Sequence, residues 1–191
     1  MTASFIPPKR ILMGPGPSDV PQRILDAMAR PTIGHLDPAF VELMEQIKSM
    51  LRMAFQTENA LTFPVSAPGS AGMEMCFVNL VEPGDKIIVC RNGVFGGRML
   101  ENVKRTRGVP VIVDDAWGAP VDPQKVRDAF NANPDAKILA FVHAETSTGA
   151  QSDAETLAKI AQEAGALTIM DCVTSLGGTP VYLDKWGIDA A

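Results

Sequence analysis

Short apolar runs alternate with amphipathic helical patterns from about residue 60 onward, and this alternation limits the possible folds more than any other feature. The runs are mostly continuous rather than alternating, which is typical of parallel strands buried on both faces. They lie at residues 60–65, 86–90, 109–113, 137–142 and 166–170. The sequence therefore predicts an α/β fold with a mostly parallel sheet covered by helices.

The last of these runs ends on a carboxylate, Asp171, which is followed by the small residues of a loop. In open α/β sheets, ligands bind beyond the carboxyl ends of the strands, which is where Asp171 is expected. A carboxylate there can hold a proton on a ring nitrogen, bind a ribose hydroxyl, bind a metal or cap the next turn. The residue alone does not decide between these roles.

A turn of small residues at positions 66–72 (SAPGSAG) connects a predicted strand to a predicted helix. Such a turn suits a phosphate, because the backbone can approach closely and the helix presents free N–H groups and the positive end of its dipole. It matches neither the Walker A pattern nor Gly-x-Gly-x-x-Gly, so an ordinary helix start is the alternative.

Two further loops carry side chains that suit the same kind of ligand. Phe95 lies between small residues after one strand, and Thr146, Ser147 and Thr148 follow another. An aromatic ring, hydroxyl groups, a phosphate turn and a carboxylate together favour a flat, phosphorylated, nitrogen-containing ring. A carboxylate beside the ring nitrogen would keep it protonated, so that the ring can act as an electron sink, as in pyridoxal phosphate.

Composition excludes several other classes of function. Seventeen basic and 22 acidic residues give a net charge of −5, so there is no electrostatic pattern for nucleic acid or for an anionic membrane. No apolar run approaches the roughly 20 residues that span a bilayer, and no signal peptide is recognisable. Cys76, Cys90 and Cys172 are odd in number and lack metal-ligand spacing, which favours reduced thiols and a cytoplasmic location.

The N-terminal part is organised differently. Residues 1–20 are predicted to be an extended segment, with residues 21–191 forming a partial cofactor-binding domain. Glycines alternate with prolines at residues 14–17, which excludes a helix. Gly14 and Gly16 suit a loop that approaches a ligand closely, although a plain connector is the alternative.

Five motifs, in this order, resemble those of the class V pyridoxal-phosphate aminotransferases, in particular the alanine–, serine– and ureidoglycine–glyoxylate branch. They are residues 12–18 (LMGPGPS), 79–85 (NLVEPGD), 92–98 (NGVFGGR), 143–149 (HAETSTG) and 170–178 (MDCVTSLGG). The resemblance implies a fold-type I large domain, pyridoxal 5′-phosphate as cofactor, a homodimer, and transfer of an amino group from a small amino acid to glyoxylate.

The resemblance also implies a role for individual residues. Asp171 would pair with the pyridine nitrogen and is the catalytic candidate, while Val173 would pack under the ring. Phe95 would stack on the ring, and Thr146 would bond the ring hydroxyl. The phosphate would be held by Pro68, Gly69 and Ser70, and the substrate pocket would be lined by Gly14 and Gly16. No metal ligand is expected.

One departure from the family concerns its Schiff-base lysine, which lies in a Ser-Gly-x-Gln-Lys motif soon after the segment that reads WGIDAA here, residues 186–191. None of the lysines present matches that position, and Lys185 is expected to be a surface charge. The sequence thus predicts an N-terminal fragment, truncated before the small C-terminal domain and inactive alone.

Two alternatives remain open at this stage. The chain could be a non-catalytic, truncated relative, or it could come from a cysteine desulfurase-like lyase of the same class. Phe95 argues against the desulfurase, because those enzymes place a histidine at that position.

Overall fold

Helices and strands alternate along the chain in nearly the order that the apolar pattern predicts. The computed structural model describes residues 4–191. Its elements are, in chain order, α1 (Gln22–Met28), α2 (Pro38–Phe55), α3 (Gly69–Leu80), β1 (Lys86–Arg91), α4 (Val94–Arg105), β2 (Val109–Asp114), α5 (Pro123–Ala132), β3 (Ala136–Val142), β4 (Ala144–Glu145), β5 (Ala150–Gln151), α6 (Ala154–Glu163), β6 (Leu167–Asp171) and α7 (Leu183–Trp186). The predicted α/β class is confirmed.

The four longer strands form one parallel sheet in the order β2-β1-β3-β6. Strand β1 pairs with β2 on one side and with β3 on the other, so the chain reverses its direction of travel across the sheet after β2. Ligand crevices in such sheets form beyond the carboxyl ends of the strands at the point of reversal. Here that point lies beyond β1 and β3, beside the end of β6.

Apolar side chains cover both faces of this sheet, which explains why the strands are continuously apolar. Along β1, Ile87 and Val89 pack with the apolar side chains of α3 and α4, whereas Ile88 and Cys90 pack with those of α5 and α6. All four are fully buried. Burial of each such aliphatic side chain contributes about 2 kcal/mol, so the two layers hold the strand ends in fixed positions.

Local sequence signals set the ends of several helices. The side chain of Asp122 accepts a hydrogen bond from the N–H of Gln124, and Pro123 occupies the first helical position of α5. Gly165 follows α6 with φ of +71°, a left-handed conformation that favours glycine. Both signals are read correctly from the sequence.

The predicted strand at residues 60–65 is wrong. These residues form no strand in the structure, and Leu61 and Phe63 are 80% and 45% exposed. A strand needs a neighbour for its backbone N–H and C=O groups, and within residues 4–191 no strand pairs with this segment. Its apolar composition alone therefore does not make it part of the sheet.

Two short features are not predicted from the sequence. Strands β4 and β5 form an antiparallel pair of two residues each, directly after β3. Helix α7 is a single turn that follows the loop after β6. Both are too short to leave a periodic pattern.

The chain divides into two units, Met1–Glu42 and Leu43–Ala191. The first unit contains α1 and the start of α2, and the second contains the sheet and all the other elements. The division into an extended segment of residues 1–20 and a domain of residues 21–191 stays a prediction. None of the helices within residues 4–191 is both long enough and apolar enough to cross a membrane.

Candidate active site

Asp171 is the last residue of β6, and its carboxylate has few partners. Its Oδ1 atom accepts one hydrogen bond, 3.0 Å long, from the N–H of Val173. Burial raises the pKa of the Asp171 carboxyl group, the bond from Val173 opposes that rise, and the negative charge of Glu145 adds to it. No lysine or arginine among residues 4–191 forms an ion pair with Asp171. The carboxylate is therefore suited to a cationic partner from outside the chain.

A mostly apolar cavity of about 230 Å³ lies beside this carboxylate. Asp171 and Val173 line it on one side, and Gly69, Gly72 and Met73 of helix α3 line it on the other. A Cβ atom added to Gly69 would lie 3.1 Å from the Cγ2 atom of Val173. A side chain at position 69 would thus crowd the narrow space between α3 and the loop after β6.

The predicted phosphate turn forms the start of α3. Pro68 is the N-cap residue and provides no side-chain cap, so the first N–H groups of the helix are not satisfied by a capping side chain. The hydroxyl of Ser70, in the first turn, accepts a hydrogen bond of 3.0 Å from Nη1 of Arg98. Pro68, Gly69 and Ser70 therefore form the start of α3, and their role in holding a phosphate stays a prediction.

Phe95 is in the first turn of α4, where its backbone N–H donates to Oε2 of Glu145 at 3.1 Å. Its ring is half-buried, and the guanidinium carbon of Arg98 lies 4.6 Å from the ring centroid. This distance is typical of a cation–π contact. Both the backbone and the ring of Phe95 are thus held by specific partners.

Glu145 fixes the start of α4, a role that its sequence motif does not predict. Its side chain is buried and accepts hydrogen bonds from the N–H groups of Phe95, Gly96 and Ser147 and from the Ser147 hydroxyl. A Cβ atom at Gly93 would lie 2.3 Å from the Glu145 Cγ atom, so only glycine fits there. A helix that starts at glycine, without a capping side chain of its own, is the signal that could have revealed this partner.

Glu145→Ala is expected to lower the free energy of unfolding by about 3 kcal/mol, because it removes the acceptor of the buried Gly96 N–H and of the half-buried Phe95 N–H. The matched control is Glu163→Ala, which removes a carboxylate on the surface that forms an ion pair with Arg127. Surface ion pairs contribute little to stability, so the control should behave nearly as the unchanged chain. Urea unfolding measures the free energy of unfolding of both variants. Equal, small decreases in the two variants would contradict the role of Glu145.

The remaining predicted site residues are Thr146, Val173, Gly14 and Gly16, and the structure gives contacts for the first two. Thr146 follows β4, and its hydroxyl contacts the hydroxyl of Thr174 in the loop after Asp171. Val173 lines the cavity and is 70% exposed, which leaves its side chain free to pack against a ligand. Gly14 and Gly16 belong to the first unit, so their assignment to a substrate pocket stays a prediction.

His143 is buried at the end of β3, but its contacts indicate a structural role. Its Nε2 atom lies 3.2 Å from the side-chain nitrogen of Gln151, and its ring packs edge-on against Trp186. Burial lowers the pKa of His143, and the charge of Asp153 partly opposes this. Within residues 4–191 no group of three or more His, Cys, Asp or Glu side chains could hold a metal ion.

Comparison with known proteins identifies relatives over nearly the whole chain. The family model "Aminotransferase class-V" matches residues 11–191. Alanine–glyoxylate aminotransferase from Oryctolagus cuniculus is 38% identical over 95% of this chain and 46% of its own length. The (S)-ureidoglycine–glyoxylate transaminase of Bacillus subtilis is 36% identical over 96% of this chain and 44% of its own. The chain thus spans about half the length of these curated relatives.

Solved structures agree with the sequence comparison. The crystal structure of alanine–glyoxylate aminotransferase from Nostoc sp. superposes with a TM-score of 0.95 at 42% identity, over 99% of this chain and 50% of that one. The fold is accordingly that of the large domain of fold-type I aminotransferases, as predicted. With a family model that matches all but the first ten residues, the chain belongs to the class V aminotransferases.

Proposed function

We propose that these residues bind pyridoxal 5′-phosphate, and that a full-length protein built on them transfers an amino group from a small donor to glyoxylate. Alanine, serine and ureidoglycine are the candidate donors. The observation that carries the proposal is the Asp171 carboxylate, which lies on the wall of an apolar cavity and forms no ion pair with a lysine or arginine of residues 4–191. Family membership supports the cofactor, and the names of the relatives support glyoxylate as acceptor.

The residues of the cavity fit this cofactor. A protonated ring nitrogen beside Asp171 would favour the ionised carboxylate and so offset the rise in pKa that burial causes. Asp171 would in turn hold the proton on that nitrogen. A side chain at position 69 would crowd Val173, so glycine keeps the start of α3 accessible to a ligand. First-turn N–H groups of a helix are a common binding site for phosphate.

The other residues would orient and shield the reacting group. Phe95 would pack on one face of the ring and Val173 on the other, and Thr146 would hydrogen-bond the ring hydroxyl. Pro68, Gly69 and Ser70 would hold the phosphate, with Gly14 and Gly16 near the substrate. Bound in this way, the cofactor supplies an electron sink for charge that develops on the α-carbon of the amino acid. The protein's part is to keep the ring protonated, oriented and dry.

The chain of 191 residues alone is proposed to be inactive. No lysine lines the cavity beside Asp171, within the part of the chain that the structure describes. A non-catalytic role for the isolated chain therefore remains an alternative. The cytoplasmic location and the homodimer also stay proposals, and the three cysteines are free, in keeping with reduced thiols.

A donor screen tests the proposed reaction. In a full-length protein that contains these residues, we expect glycine to form from glyoxylate with at least one of alanine, serine and ureidoglycine. Cysteine is the control donor, because the desulfurase alternative predicts release of sulfide from it. Robust sulfide release without glycine from any donor would overturn the proposal.

A further inference from the structure

Arg98 connects two of the residues proposed to bind the cofactor, and neither the motifs nor the relatives' names assign it a role. Its Nη1 atom donates to the hydroxyl of Ser70 at 3.0 Å, and its guanidinium lies 4.6 Å from the centre of the Phe95 ring. Ser70 belongs to α3 and Phe95 to α4. One side chain therefore links the predicted phosphate turn to the predicted stacking ring.

The position of Arg98 along α4 produces this double contact. Residues three apart on a helix lie on the same face, so the side chain at position 98 can extend back over the ring at position 95. Only a planar cation can lie over an aromatic ring while its N–H groups donate sideways to a hydroxyl. Lysine would supply the charge but not this geometry.

The charge of Arg98 is not neutralised by the protein. Among residues 4–191 no aspartate or glutamate forms an ion pair with it, whereas the neighbouring Arg91 is paired with Asp114 at 2.6 Å. The side chain is exposed, so an anion from solution can reach it. Asp171 and Glu145 place negative charge elsewhere in the site, whereas the Arg98 guanidinium contacts the phosphate turn through Ser70.

We propose that Arg98 recognises the phosphate of the cofactor by its charge and, through the same two contacts, positions the Ser70 hydroxyl and the Phe95 ring. This inference rests on the proposed function, because it assumes that a phosphorylated ring occupies the cavity. A phosphate monoester carries nearly two negative charges at neutral pH, and a guanidinium matches its oxygens well. The backbone N–H groups of α3 supply only partial charges.

The test compares two ligands that differ only in the phosphate. Pyridoxamine 5′-phosphate and pyridoxamine have no aldehyde, so neither reacts with surface lysines, and calorimetry measures their binding to the 191-residue chain. We expect the unchanged chain to prefer the phosphorylated ligand. In Arg98→Gln the affinity for the phosphorylated ligand should fall about tenfold more than the affinity for pyridoxamine, which loses only the positioning of the Phe95 ring.

Two control variants make the test specific. Arg105→Gln removes an arginine from the last turn of the same helix and should leave both affinities unchanged. Arg98→Lys retains the charge and should recover part of the preference for the phosphorylated ligand. Circular dichroism and thermal melting verify that each variant is folded.

The failures of the inference and of the proposed function are distinguishable. If the unchanged chain prefers the phosphorylated ligand and Arg98→Gln retains that preference, the role of Arg98 is wrong although the cofactor site stands. An equal loss for both ligands would likewise exclude recognition of the phosphate by Arg98. If the unchanged chain binds neither ligand, the proposed cofactor site fails and the inference fails with it.

Discussion

Asp171→Asn is expected to lower the turnover of a full-length protein that contains these residues by about a hundredfold or more. A neutral amide cannot hold a proton on the ring nitrogen by its charge, so the cofactor would stabilise developing negative charge poorly. The loss should appear in proton abstraction from the amino acid, which a substrate deuterated at the α-carbon reports as a larger isotope effect. Turnover close to that of the unchanged protein, at full cofactor occupancy, would mean that Asp171 only forms a turn.

The same substitution should have the opposite effect on stability. In the chain without cofactor, burial raises the pKa of Asp171 above its ordinary value of about 4, so folding is opposed by the ionised carboxylate. This destabilisation develops as the pH rises from about 4 to the raised pKa of Asp171 in the folded chain, and it is complete above that pKa. Asparagine carries no charge and can still accept the bond from Val173. Asp171→Asn should therefore melt at a higher temperature than the unchanged chain at pH 7, and the difference should vanish at low pH.

A matched control separates this effect from a general gain of stability. Asp128→Asn removes an exposed carboxylate from α5, where its Oδ1 atom accepts a bond from the side chain of Gln124. Because Asp128 lies on the surface, its substitution should leave both turnover and the pH dependence of melting nearly unchanged. If Asp171→Asn instead lowers the melting temperature at pH 7, the ionised carboxylate stabilises the fold, and the expected destabilisation in the absence of a ligand is wrong.

The position of Asp171 could be predicted because it depends on local signals. A short, mostly apolar run, a helix before it and a small-residue loop after it are together sufficient to place a carboxylate at the end of a parallel strand. The same reasoning fails for residues 60–65, which have the composition of a strand but no neighbour to pair with. Whether an apolar run becomes a strand depends on long-range pairing, which composition does not encode.

The partners of the site residues were harder to predict, since they come from distant parts of the chain. Glu145 lies 50 residues from Phe95, and Arg98 lies 28 residues from Ser70. Each contact forms only because parallel strands bring the loops after β1 and β3, and the start of α3, to the same edge of the sheet. The sequence motifs mark both segments, but they do not show that Glu145 caps α4 or that Arg98 contacts the phosphate turn.

The isolated chain is expected to form no specific covalent adduct with pyridoxal phosphate. Five of its eight lysines form ion pairs with carboxylates, and those contacts raise the pKa of Lys125 and Lys137. A protonated amine is not a nucleophile, and a reactive lysine must also be aimed at the aldehyde. Since no lysine among the described residues lines the cavity, none meets the second requirement.

Borohydride reduction followed by mass spectrometry provides the measurement. The chain is mixed with pyridoxal phosphate and reduced, and each modified lysine is mapped; we expect low labelling spread over exposed lysines, and no glycine from glyoxylate. Asp171→Asn is the matched control, because labelling of surface lysines does not depend on the cavity and should be the same in both chains. Stoichiometric labelling of a single lysine that disappears in Asp171→Asn would contradict this expectation. Such a lysine would have to reach the cavity in a conformation other than the one described, and the isolated chain would then carry its own reactive amine.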